Sequence, residues 1–179
     1  MSVCKSVIPL SFLLSALSPV AATAADLSFC WTGANGYTMT GKMRVAPDAM
    51  DGGIVTENDL TAFKIAGYRD GKLLGTWDMT QRDPQTTWHL RFDSDTMTFL
   101  TGGSFQSLHS QGWNANGNVS DCGTPGFGFN SGNYAQDICV NGRYLSDSSI
   151  DPTTPLRAGT GPVSPTCGST MLMSKSQDD

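Results

Sequence analysis

Between Tyr37 and Val45 every second residue is apolar or glycine: Tyr37, Met39, Gly41, Met43 and Val45 alternate with Thr38, Thr40, Lys42 and Arg44. A period of two sends the two sets to opposite sides of an extended chain, so the stretch predicts a strand with one buried and one wet face. The period returns over 62 to 68, where Phe63 and Ile65 bracket Lys64. After Asp70-Gly71 it continues over 73 to 79, with Leu73, Gly75, Trp77 and Met79 on one face. Asp-Gly between two alternating runs is a strong hairpin signal, because both turn residues must take positive φ. Trp88, Leu90 and Phe92 then alternate with His89, Arg91 and Asp93. A turn at Ser94-Asp95 leads to Met97 and Phe99 against Thr96 and Thr98, and Gly102-Gly103 closes the run. Residues 37 to 105 thus predict a meander of about five antiparallel strands with Thr-rich outer faces.

The second half carries a weaker pattern. Gln111 to Asn133 is rich in Gly and Asn and reads as long loops. A strand is predicted over Gln136 to Val140, with Asn141-Gly142 as a turn into Arg143 to Leu145. The stretch from Asp151 to Pro165 holds Pro152, Pro155, Pro162 and Pro165, which predicts an ordered surface crossing and no central strand. Ser169 to Met173 would add a last short strand, and residues 174 to 179 a disordered tail.

Composition supports an all-β class: Glu57 is the only glutamate, while Gly, Ser and Thr are plentiful. Residues 1 to 25 carry the features of an export signal. Lys5 gives a positive start, Val7 to Leu17 an apolar run, and Ala22-Thr23-Ala24 a small-residue cleavage site. Its removal takes Cys4 and leaves Cys30, Cys122, Cys139 and Cys167, an even set in a chain bound for an oxidising space. The expected domain is 26 to 173, an antiparallel sandwich or barrel stapled by disulfides, with long Gly/Asn-rich and Pro-rich loops. Of the three possible connectivities, Cys122 with Cys139 and Cys30 with Cys167 is the pairing expected.

The chain has 179 residues and a net charge of −5, and its basic residues are scattered singly. Duplex nucleic acid and anionic lipid both need clustered cations, so neither is an expected partner. No apolar run after the leader is long enough for a spanning helix. The cysteine intervals lack any C-x-x-C pair, and His89 and His109 are the only histidines. No metal site and no cofactor are expected. Asp48, Asp51, Glu57 and Asp59 surround Gly52-Gly53, but Met50 and Gly52 would fall where a calcium loop needs oxygen ligands. Thr56 and Asp59 instead fit a capping box on a single helical turn.

His89 is expected on an exposed strand face, and His109 lies near Ser107 and Ser110 without a G-x-S-x-G motif. No catalytic residue is therefore assigned; a secreted hydrolase of unfamiliar type, pairing a histidine with an aspartate, is the second alternative. The first alternative is a carbohydrate-binding module built on Trp113, Asn114, Asn116, Phe127 and Asn130, where rings would stack on sugar faces and amides bond hydroxyls. The competing assignment, which the composition favours, places Trp113, Phe127 and Phe129 in a small satellite core under the disulfide. Asn118-Val119-Ser120 fits a glycosylation triplet.

The segments Tyr37-Thr38-Met39-Thr40-Gly41, Gly53-Ile54-Val55-Thr56, Asp59-Leu60-Thr61-Ala62-Phe63 and Phe92-Asp93-Ser94-Asp95-Thr96 are similar to small exported bacterial β-rich proteins of unassigned role, including those with PEP-CTERM sorting tails. The resemblance implies export and an envelope or extracellular role. The last residues, Lys175-Ser176-Gln177-Asp178-Asp179, carry no Pro-Glu-Pro motif and no apolar tail, so membrane sorting is not expected. The expectation is an exported, non-enzymatic binding or structural protein, periplasmic or extracellular, with a glycan or an envelope protein as partner.

Overall fold

A computed structural model describes residues 23–115 and 122–168. Residues 1–22 of the expected leader, Asn116, the expected triplet at Asn118, the strand expected over Ser169 to Met173 and the expected tail all lie outside the described residues. Within them the chain is all-β, with antiparallel sheets curled into a half-barrel and only short 3-10 turns between strands. The strands are β1 (Ala25–Thr32), β2 (Tyr37–Val45), β3 (Ile54–Thr56), β4 (Leu60–Arg69), β5 (Lys72–Asp78), β6 (Trp88–His89), β7 (Arg91–Asp93), β8 (Thr98–Phe99), β9 (Gln111–Trp113), β10 (Phe127–Ser131), β11 (Gln136–Val140), β12 (Arg143–Tyr144) and β13 (Leu156–Gly159). An eight-stranded sheet runs β3-β7-β8-β13-β1-β2-β4-β5, and a five-stranded sheet runs β12-β11-β10-β9-β6.

The expected apolar face of β2 is buried from Tyr37 to Val45. Its neighbour β4 points Phe63 and Ile65 inward, and Asp70 and Gly71 take positive φ in the predicted hairpin turn. Beyond that turn the alternation departs from expectation. Tyr68 pairs with Leu73 and Gly67 with Gly75, so Leu74 is an extra residue on β5. Such a bulge resets which side chains face inward. Leu73 is therefore 60% exposed, while Leu74 packs on the core and Trp77 is buried.

The predicted five-strand meander is corrected. Of the strands in this stretch, β2, β4 and β5 follow one another at one end of the large sheet, β7 and β8 pair through the expected turn at its far end beside β3, and β6 belongs to the other sheet. The run from Trp88 to Phe92 was expected to be one strand, but it breaks at Leu90 and changes sheets. Glu57 Oε2 accepts the Leu90 N–H at 3.0 Å and Arg91 Nη1–H at 2.6 Å. Gln111, fully buried on β9, spans the two sheets: its Oε1 accepts the Arg91 N–H at 3.0 Å, and its Nε2 donates to the Arg91 and Leu100 carbonyls at 2.7 Å each. A strand that leaves one sheet for another orphans backbone groups, and these two side chains satisfy them.

Three further corrections concern the second half and the N-terminal strand. The Gly/Asn-rich span contains β9 and β10, because aromatic residues separated by glycine (Phe127, Gly128, Phe129) pair with neighbours that approach too closely for a side chain. A Cβ on Gly128 would overlap the Asn114 carbonyl. The Pro-rich segment supplies β13, which sits between β1 and β8 in the interior of the large sheet. No proline falls within Leu156–Gly159, so its ladder is intact between Pro155 and Pro162. β1, which the alternation had not marked, occupies the middle of the sheet and starts at Ala25, which pairs with Val45.

Disulfides join Cys30 to Cys167 and Cys122 to Cys139, the connectivity expected. The first fastens the end of the Pro-rich segment to β1, and Thr38 Oγ1 donates to the Pro165 carbonyl at 2.5 Å beside it. Gln136 ties the same segment from the other side: its Nε2 donates to the carbonyls of Pro152 and Thr154, at 3.0 and 2.6 Å, while its Oε1 accepts the Trp31 indole N–H at 3.0 Å. No helix among the described residues is long and apolar enough to cross a membrane.

Candidate functional site

Trp113 is fully buried and cannot serve as a platform for sugar stacking. Its ring packs against Phe29, Phe63, Phe99 and Phe129, with centroids 4.8 to 5.3 Å away. Phe127 and Phe129 are equally buried and belong with Trp113 to the main core, which corrects both the exposed and the satellite assignments. The small satellite under the disulfide consists of Ala115, Cys122 and Cys139. Alternation in a three-residue strand gives no sign of side, so the sheet-on-sheet packing that swallowed Trp113 was not legible beforehand.

Asn130, placed by the sequence among surface amides, is 4% exposed on the outer face of β10 and faces Asp137 across the β10–β11 pair. Asn130 Nδ2 donates to Asp137 Oδ1 at 3.2 Å and to Tyr144 Oη at 2.9 Å. Tyr144 O–H also donates to Asp137 Oδ1, and Ser149 O–H to Oδ2 at 3.3 Å. No cation pairs with Asp137 among the described residues. Burial pushes its carboxyl above the usual carboxylate range, and the three donors offset that only in part; burial and the neighbouring carboxylate also push the Tyr144 phenol up. This cluster binds β10, β11, β12 and the turn at Ser146–Ser148 together.

Asn114 is half-buried at positive φ, and its Nδ2 donates to the carbonyls of Cys122 and Phe127, each at 2.9 Å. It lines a groove beside β5. This groove, about 490 Å³, runs between β5 and the 122–126 loop. Leu74, Gly75 and Trp77 form its apolar wall, and Gln81, Asp83, Gln85, Thr86 and Asn141 its polar one. Several of these groups use one half of their hydrogen-bonding capacity to hold the backbone. Gln81 Oε1 accepts the Asp78 N–H at 2.9 Å, Asn141 Oδ1 the Gly126 N–H at 3.1 Å, and Asp83 Oδ1 the Gln85 N–H and Thr86 O–H at 2.9 Å each. Among the described residues this leaves the NH₂ groups of Gln81 and Asn141, the Asn114 Oδ1, the second Asp83 oxygen and the Gln85 amide, a mixed set of donors and acceptors with a single negative charge. Such a lining suits a ligand that is polar and uncharged.

His89 corrects another expectation: it is 6% exposed, its Nε2–H donates to the Ser107 carbonyl at 2.9 Å, and its ring meets the edge of Phe105. It acts as a structural clip between β6 and the 104–110 loop. His109 is exposed, and its backbone N–H bonds Ser107 Oγ at 3.3 Å. The predicted capping box at Thr56 and Asp59 is present, with Thr56 N–H donating to Asp59 Oδ2 at 2.7 Å. Among the described residues no three of His, Cys, Asp and Glu converge as metal ligands would. No protein-family model, no characterised protein and no solved structure matches this chain.

Proposed function

We propose that this is an exported, non-enzymatic protein of the periplasm or cell exterior that binds its ligand in the groove beside β5. The observation that carries the export is the disulfide from Cys30 to Cys167, which spans 137 residues and closes nearly the whole described chain into one loop. Such bonds are rare where thiols are continually reduced. The leader over residues 1 to 25 and the likeness to exported bacterial β-rich proteins support the same reading. Fractionating expressing cells and taking intact masses tests it: the protein should appear outside the cytoplasm, shortened by the leader, with its remaining cysteines inert to alkylation until reduced. Leader-bearing cytoplasmic material with alkylatable thiols refutes the reading.

A carbohydrate-binding role is favoured over a purely structural one by the half-used amides of the groove. With Trp113 in the core, this role passes from the aromatic platform to Asn114, Gln81, Gln85 and Asn141. A neutral-glycan array should then show binding that weakens in Gln85→Ala, at an exposed position of the groove.

A further inference from the structure

The outer face of the large sheet holds a charge arrangement that the fold does not need. Lys42 on β2 and Lys64 on β4 are direct cross-strand partners and both exposed, which places their Cβ atoms about 5 Å apart on one face. Like charges set opposite each other in this way are destabilising. Two acids stand nearby, and neither forms an ion pair with either lysine. Asp78 lies opposite Lys64 on its other side, but its Oδ1 accepts the Thr80 N–H at 2.9 Å and the Thr80 O–H at 2.7 Å. Asp26 is taken by Arg44 in a two-pronged pair at 2.8 and 3.1 Å. Neither lysine has an ion pair among the described residues, although the chain as a whole is acidic, at −5.

Two grooves, of about 420 and 480 Å³, meet at this pair, and Lys42, Lys64 and Asp78 line both. One continues past the hydroxyls of Thr40 and Thr76 under Val163, the other past Ser28 and Thr160. Ala62 and Ala66, flanking Lys64 on β4, keep the floor low on either side. Paired cations in the middle, with Asp78 at their edge and troughs carrying hydroxyls among apolar residues to each side, match a hydroxyl-rich chain carrying a carboxylate. A single inorganic anion would use the lysines and leave both troughs empty.

We propose that Lys42 and Lys64 form a binding site for an acidic glycan, its carboxylate held between the two ammonium groups and its neighbouring sugar units lying in the two troughs. The site stands on strand register and ion pairing, independently of what occupies the groove beside β5. Calorimetric titration of the full mature protein with a uronic-acid trimer at low ionic strength tests it. Binding is expected, weakening by about fivefold in Lys42→Gln and in Lys64→Gln, the factor that corresponds to loss of one exposed charge contact. It should also weaken as salt is added, and stay unchanged in Lys72→Gln at the distant hairpin. Lys42→Gln relieves the repulsion and leaves Lys64 opposite Asp78, so in that variant thermal stability should hold or rise while affinity falls, which separates lost binding from lost folding. Absence of binding at millimolar trimer, wild-type affinity in the Lys42→Gln, Lys64→Gln double variant, or equal affinity for the carboxyl-reduced trimer or for inorganic phosphate would each overturn the proposal.

Discussion

Asp137 is a carboxyl at 2% exposure whose partners are a phenol, an amide and a hydroxyl. Its proton affinity is raised in the fold, chiefly by burial, so folding favours the protonated form. The stability it contributes is complete below the ordinary carboxylate pKa and is lost as pH rises through the raised one. Asp137→Asn keeps an oxygen for the Tyr144 and Asn130 donors and puts an NH₂ group in place of Oδ2, where the Ser149 hydroxyl can turn to accept from it. Melting followed by circular dichroism should therefore show the variant more stable than the parent near neutral pH by on the order of 1 kcal/mol. That advantage should shrink towards acid, where the parent carboxyl is already neutral. Asn130 was visible in the sequence as a chemically capable residue, but not its partner: Asp137 is seven positions away, and only the β10–β11 register brings the two opposite each other.

At the level of elements, two glycines of different strands accept Phe127. A Cβ on Gly67 would fall inside the Phe127 ring, and a Cβ on Gly75 would stand 3.1 Å from the Phe127 Cβ. The five-stranded sheet thus docks on the large one by pressing a ring from β10 onto bare backbone of β4 and β5. Gly67→Ala should cost about 1 to 3 kcal/mol, the range for forcing extra volume into a packed core, as read from denaturant unfolding at constant m-value. Gly126→Ala is a poorer probe, because the clash there is with rigid backbone carbonyls of the 122–126 loop. The alternating runs of β2 and β4 were legible because each has one wet face and one dry. Strands β9, β10 and β11 are buried on nearly every residue, so they show no alternation to read.

Across the whole molecule the two disulfides differ in reach. Cys30–Cys167 closes 137 residues and Cys122–Cys139 closes 17. Restricting the unfolded chain scales with the logarithm of loop length, giving about 5 kcal/mol for the long loop and about 3 for the short one. Replacing Cys30 and Cys167 together by serine should lower the melting temperature more than replacing Cys122 and Cys139. It should also loosen the Pro-rich segment, with faster hydrogen exchange at Leu156–Gly159, the strand that segment contributes to the middle of the large sheet. Equal losses for the two pairs would mean that local packing, and not chain restriction, sets their contribution.

Local chemistry determined the all-β class, the turns at Asp70-Gly71 and Asn141-Gly142, the capping box at Thr56 and the inward faces of β2 and β4, because each depends on residues within a few positions of one another. Parity of the cysteines pointed to two disulfides but left three connectivities open, and the fold is what joins Cys30 to Cys167 and Cys122 to Cys139. The tertiary structure alone decided that Trp113 is core, that His89 is a buried clip, that the sole glutamate caps a strand as it changes sheets, and that Lys42 faces Lys64. Each of these is a relation between strands distant in sequence, and the register and sheet order that create it are set by packing many side chains at once, which no local pattern encodes.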